Sequence, residues 1–250
     1  MKRTFLSVLL SLFLAGTAFA QFGRSADNGP ASLKDAYNGY FTIGVAVNQR
    51  NISDPTQIEL IKKQFNSITA ENDMKSGELH PSEGKWYRAD KVANFCRQNG
   101  IKLRGHCLVW HSQFCDWMLN DKNGKPVKKE VFYARLRDHI HTVVNRYKDI
   151  VYAWDVVNEA MSDGGGRGFG GKEPNPYRQS QLYNFCGDEF IAKAFEYAHE
   201  ADPNAILFYN DYNAATPAKR DRIYNMVKKM QDAGVPITGI GMQGHYNIYG

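Results

Sequence analysis

From Tyr40 to the last residue, short apolar runs alternate with stretches in which apolar side chains recur every three or four positions. The first kind of run suits a strand buried on both faces, and the second suits an amphipathic helix. Strands are predicted at 41–45, 67–70, 101–105, 151–157, 206–209 and 237–242. Between them, Asp54-Pro55 opens a helix whose Ile58, Ile61 and Phe65 share one stripe. Val92 and Phe95 mark a second helix, ended by Asn99-Gly100. A third buries Val131, Leu136, Ile140, Val143 and Tyr147, a fourth Ile191, Ala194, Phe195 and Ala198, and a fifth runs from Thr216-Pro217 to Gly234. Strand and helix in strict alternation is the grammar of an α/β fold with a parallel sheet.

The ends of these strands carry the chemistry. In a parallel barrel the carboxyl ends of the strands open on one shared face, so polar residues placed there line a common cleft. Glu71, Asn72 and Lys75 follow the second strand, and His106, Trp110, His111 and Gln113 the third. Asn158 and Glu159 follow the fourth, Asn210, Asp211 and Tyr212 the fifth, and Gln243 and His245 the sixth. Rings for the apolar faces of a sugar, mixed with amides, carboxylates and a lysine for its hydroxyls, suggest a carbohydrate cleft. Glu159, delivered with Asn158 by the strand Trp154-Asp155-Val156-Val157, reads as a proton donor. His106 and His111 flank an apolar segment and do not form a helical metal-binding pair, so no metal is expected. His111 and Asp155 read as supporting residues and Trp86 as a packing residue.

Composition narrows the setting. Met1-Lys2-Arg3, an apolar run from Phe5 to Leu14 and the small-residue site Ala18-Phe19-Ala20 have the three parts of a secretory leader, with cleavage expected after Ala20. The apolar core is too short to span a membrane, so the expectation is a secreted or periplasmic protein with no membrane attachment. Residues 21–250 then form a single domain. Loss of Lys2 and Arg3 with the leader lowers the formal charge by two, from +5 to +3, too little to imply nucleic acid. Cys96, Cys107, Cys115 and Cys186 lack metal-site spacing and read as buried thiols rather than a disulfide framework. The glycine-rich stretch from Gly164 to Gly171 reads as a long loop shaping the cleft.

Five ordered segments resemble glycoside hydrolase family 10, the endo-1,4-β-xylanases. They are Ile68-Thr69-Ala70-Glu71-Asn72-Asp73-Met74-Lys75, Arg104-Gly105-His106-Cys107-Leu108-Val109-Trp110-His111, the Trp154 to Glu159 strand, Tyr209-Asn210-Asp211-Tyr212-Asn213 and Gly239-Ile240-Gly241-Met242-Gln243-Gly244-His245. The resemblance implies a (β/α)8 TIM barrel, of which about six strands are visible, cleaving internal β-1,4 bonds of xylan with retention of configuration. It implies Glu159 as the acid/base, Asn158 as the holder of the 2-hydroxyl, and Glu71, Asn72, Lys75, His106 and Trp110 as glycone-side contacts. Gln243 would orient the acid/base, and Tyr212 would meet the leaving group. The pattern further calls for a nucleophilic Glu after a seventh strand, about 5 Å from the acid/base and beside His245. The chain stops before such a strand, so the 250-residue form is expected to hydrolyse little. The expected partner is xylan or a xylo-oligosaccharide, bound by a monomer without a cofactor. A cellulose- or mannan-cleaving barrel and a non-catalytic xylan-binding barrel remain the alternatives.

Overall fold

Each of the six apolar runs forms a strand, and the strands lie side by side in the order in which they occur. The computed structural model describes residues 32–79, 85–164 and 175–248, so the leader and nearly all of the glycine-rich loop lie outside the described residues. The strands are β1 (Gly44–Val47), β2 (Ser67–Ala70), β3 (Lys102–Trp110), β4 (Val151–Asn158), β5 (Ile206–Tyr212) and β6 (Gly239–Gln243). Every neighbouring pair is parallel. The helices are α1 (Leu33–Ala36), α2 (Pro55–Gln64), α3 (Tyr87–Asn99), α4 (Asp116–Leu119), α5 (Lys129–Tyr147), α6 (Gln181–Cys186), α7 (Glu189–Ala201) and α8 (Pro217–Asp232), with a 3-10 turn at Asn51–Ser53.

Helix ends follow their local chemistry. The Asp54 side chain accepts from the amides of Thr56 and Gln57 while Pro55 occupies the first turn, fixing the start of α2. Gly100, at φ 62°, closes α3 in the left-handed conformation that a side chain would strain. In α5 the buried stripe starts at Phe132, not at the expected Val131, which is 40% exposed. Phe132 continues the spacing to Leu136, Ile140 and Val143, whereas Val131 lies one position round the helix. The short helices α1, α4 and α6 carry too few apolar repeats to show a period in the sequence.

The third strand departs most from expectation. It runs on through His106 to Trp110, because Cys107, Leu108 and Val109 are all buried and keep pairing with β4 across a register shift. His106 and Trp110 are therefore strand residues. At the centre of the core Trp154 is fully buried against Gly105, where an added Cβ would lie 2.1 Å from the indole Cε3. Only glycine admits that contact. All four cysteines are buried free thiols, and burial pushes that of Cys96 up to about 12.

Candidate active site

Glu159 follows the last residue of β4 with φ 58°, a left-handed conformation unusual for a residue with a side chain. Its main chain is held on both sides. The amide donates to the Asn210 carbonyl at 2.8 Å, and the carbonyl accepts from Arg178 Nε at 2.8 Å. Each carboxylate oxygen accepts one N–H: Trp110 Nε1 donates to Oε2 at 2.9 Å and Gln243 Nε2 donates to Oε1 at 3.0 Å. These donors come from β3 and β6, so the half-buried carboxylate is pinned from two directions at the end of β4.

Register brings the neighbours together. Asn158 pairs with Trp110 on β3 and with Asn210 on β5. Its Oδ1 accepts from Asn210 Nδ2 at 2.8 Å and from Gln243 Nε2 at 3.1 Å, and among the described residues nothing takes the two hydrogens of its amide nitrogen. Gly241 makes this possible, since a Cβ there would lie 2.3 Å from Asn210 Oδ1. His245, exposed, bonds through Nε2 to Gln243 Oε1 at 3.1 Å and so favours the Gln243 orientation that donates to Glu159.

Along the same face, Asp155 accepts from Arg104 Nη2 at 2.5 Å and lies 2.9 Å from His106 Nδ1, while His106 Nε2 has no partner among the described residues. Lys75 is only 8% exposed, yet no carboxylate pairs with it among the described residues. Its Nζ donates to Asn72 Oδ1 at 2.8 Å and lies 4.4 Å from the Trp110 ring centroid. Glu71 is exposed and accepts from Asn48 Nδ2 at 2.9 Å. Glu71, Arg104, His106, Asp155, Asn210 and Gln243 line one cavity of about 510 Å³.

Tyr212 is half-buried at the end of β5. Its hydroxyl accepts from Arg178 Nη2 at 2.8 Å and donates to Asp163, and Lys219 Nζ stands over one face of the ring, which leaves the opposite face to meet a ligand. Although partial burial raises the Asp163 carboxyl, hydrogen bonds from Lys219 and Tyr212 outweigh it and hold the group below the usual range. His111 is pushed below the ordinary histidine value by burial and by nearby Arg178, and its buried Nδ1 has no partner among the described residues. It does not converge with His106. Among the described residues no group of three or more His, Cys, Asp and Glu side chains is placed to hold a metal ion.

Sequence reasoning missed Arg104, Asp163, Arg178 and Lys219. Arg104 left a signal, an arginine inside a buried strand that must find a carboxylate. The other three are charges on loops and a helix start, which resemble solvated surface residues.

The arrangement supplies a held carboxyl group, an amide donor beside it, and imidazole, ammonium and aromatic groups at the carboxyl ends of neighbouring strands, a set fitted to sugar recognition and proton transfer. Comparison with known proteins agrees. The endo-1,4-beta-xylanase/feruloyl esterase of Xylanibacter ruminicola is 67% identical across 98% of this chain and 35% of its own length. Endo-1,4-beta-xylanase B of Paenibacillus barcinonensis is 47% identical across 88% of this chain and 64% of its own. This chain thus spans from about a third to two thirds of those relatives. Among solved structures, a psychrophilic glycoside hydrolase family 10 endo-beta-1,4-xylanase superposes with a TM-score of 0.82 at 60% identity, over 88% of this chain and 67% of that one. The family model for glycosyl hydrolase family 10 matches residues 32–250, and with the six parallel strands and the site they carry, the chain belongs to that family.

Proposed function

We propose that this chain carries the acid/base part of a retaining endo-1,4-β-xylanase. The observation that supports this reading most is the Glu159 carboxyl group, fixed by Trp110 and Gln243 with the amide hydrogens of Asn158 alongside. In the proposed reaction Glu159 gives its proton to the glycosidic oxygen as the bond to the anomeric carbon breaks, and a second carboxylate forms the glycosyl-enzyme. Glu159 then takes a proton from the water that attacks the anomeric carbon and frees the nucleophile. The attacking Glu is proposed to come from sequence that follows residue 250 in a longer parent protein, a reading supported by the greater length of the relatives.

Asn158 is assigned to the 2-hydroxyl of the reacting sugar. Glu71, Asn72, Lys75, His106 and Trp110 are assigned to the glycone side, and the Tyr212 ring to the leaving-group side. Xylan is the proposed substrate because the relatives are named xylanases and the cleft mixes charged and amide donors with aromatic rings. The protein is proposed to act as a secreted or periplasmic monomer, consistent with the leader-like residues 1–20. Among the described residues no helix is long and apolar enough to cross a membrane.

Release of reducing sugar from xylan, carboxymethyl cellulose and mannan, measured for the 250-residue chain and for its longer parent, tests this reading. The parent is expected to cut xylan well above the other two, and the shorter chain to release little from any. Preference for cellulose or mannan would overturn the substrate, and full activity of the shorter chain would overturn the assignment of the nucleophile.

A further inference from the structure

The main chain on either side of Ala160 is held by side chains that converge on one buried cation. On one side Arg178 Nε donates to the Glu159 carbonyl, and on the other the Met161 amide donates to the Tyr209 hydroxyl at 3.0 Å. Arg178 Nη2 continues to the Tyr212 hydroxyl at 2.8 Å and to Asp163 at 3.2 Å, while the Tyr209 hydroxyl donates to Asp211 at 2.5 Å. Both carboxylates end on Lys219, whose Nζ lies 2.6 Å from Asp163 Oδ1 and 2.8 Å from Asp211 Oδ1. The same Nζ stands 3.7 Å from the centroid of the Tyr212 ring.

Two features set this lysine apart from a solvated surface charge. It is 0% exposed, and burying an ammonium is costly unless its partners recover the loss. It also sits in the first turn of α8, the end of a helix that repels positive charge. Here it joins three elements at once: the segment after β4 through Asp163, the end of β5 through Asp211 and Tyr212, and α8. The left-handed backbone at Glu159 persists only where its surroundings over-determine it, and these bonds are part of what does so.

We propose that Lys219 is a positioning residue, setting the Glu159 main chain and the Tyr212 ring together on the leaving-group side of the cleft without touching substrate. The proposal rests on Glu159 being the acid/base. It follows that loss of Lys219 damages proton delivery to a departing sugar more than cleavage of a leaving group that needs no proton.

The parent protein with Lys219→Met, and with the charge-balanced pair Lys219→Met and Asp211→Asn, provides the test. The pair serves as the reference should the single variant, which leaves two carboxylates short of a partner, not fold. For either, kcat/KM on an unsubstituted xylo-oligosaccharide is expected to fall by about 10- to 100-fold, whereas kcat/KM on a dinitrophenyl β-xylobioside, which reports only the step before Glu159 acts as a base, stays within about 2-fold. Amide exchange from Glu159 to Ser162 is expected to accelerate in the 250-residue chain carrying the same changes. Parallel losses on both substrates, no loss on either, or unchanged exchange would overturn the role of Lys219. A wild-type parent inert towards both substrates would instead sink the acid/base reading beneath it.

Discussion

Glu159 carries one N–H donor on each carboxylate oxygen, from Trp110 and Gln243, and its direction is therefore set by two strands other than its own. Replacing Trp110 with Phe removes the N–H while keeping a ring beneath Lys75. In the parent protein this change is expected to lower kcat on xylan by about 10-fold, the scale of a hydrogen bond to a charged group; an unchanged kcat would remove Trp110 from the positioning of Glu159. The site residues named from sequence lie within the strands or in the segments that follow them, because the order of apolar runs placed each strand even where, as in β3, it did not show the strand's last residue. What sequence left hidden was the second layer of charge. Asp163, Arg178 and Lys219 are far apart along the chain, and only the folded packing of α8 against the β4 and β5 ends shows that they meet.

Among the elements, α3 and the end of α5 are joined by two forked ion pairs. Arg146 donates to Asp90 through Nε at 2.9 Å and Nη2 at 2.6 Å, and Arg97 donates to Asp149 at 2.6 and 2.7 Å. Hydrogen bonding from Arg146 holds Asp90 below the ordinary value of 3.8, and hydrogen bonding from Arg97 does the same for Asp149. A carboxylate depressed by folding contributes stability that is complete above its unfolded value and is lost as pH falls through its folded one. Thermal stability is therefore expected to hold from neutrality to about pH 5 and to drop below about pH 4, a drop made shallower by Asp90→Asn; an equal drop in that variant would contradict the linkage. Both pairs are partly exposed, so the effect is modest. Element boundaries were legible where a cap or proline marks them, as in α2. They were not where a strand continues past a glycine, as in β3, since only the partner strand shows that pairing resumes.

At the scale of the whole molecule, the sequential parallel order and the shared strand-end face were both readable from the alternation of patterns. Among the described residues β1 pairs only with β2 and β6 only with β5, and Tyr40, Phe41, Ile240 and Met242 are exposed near these margins. The fold nevertheless delivers one central object, a glutamic acid at the end of β4 with fixed orientation. The most direct measurement of its role is xylan hydrolysis by the longer parent protein carrying Glu159→Gln. The expected rate lies about 100- to 10,000-fold below wild type, with folding and sugar binding retained. A Glu159→Gln enzyme that still cut xylan at the wild-type rate would contradict the account at its centre.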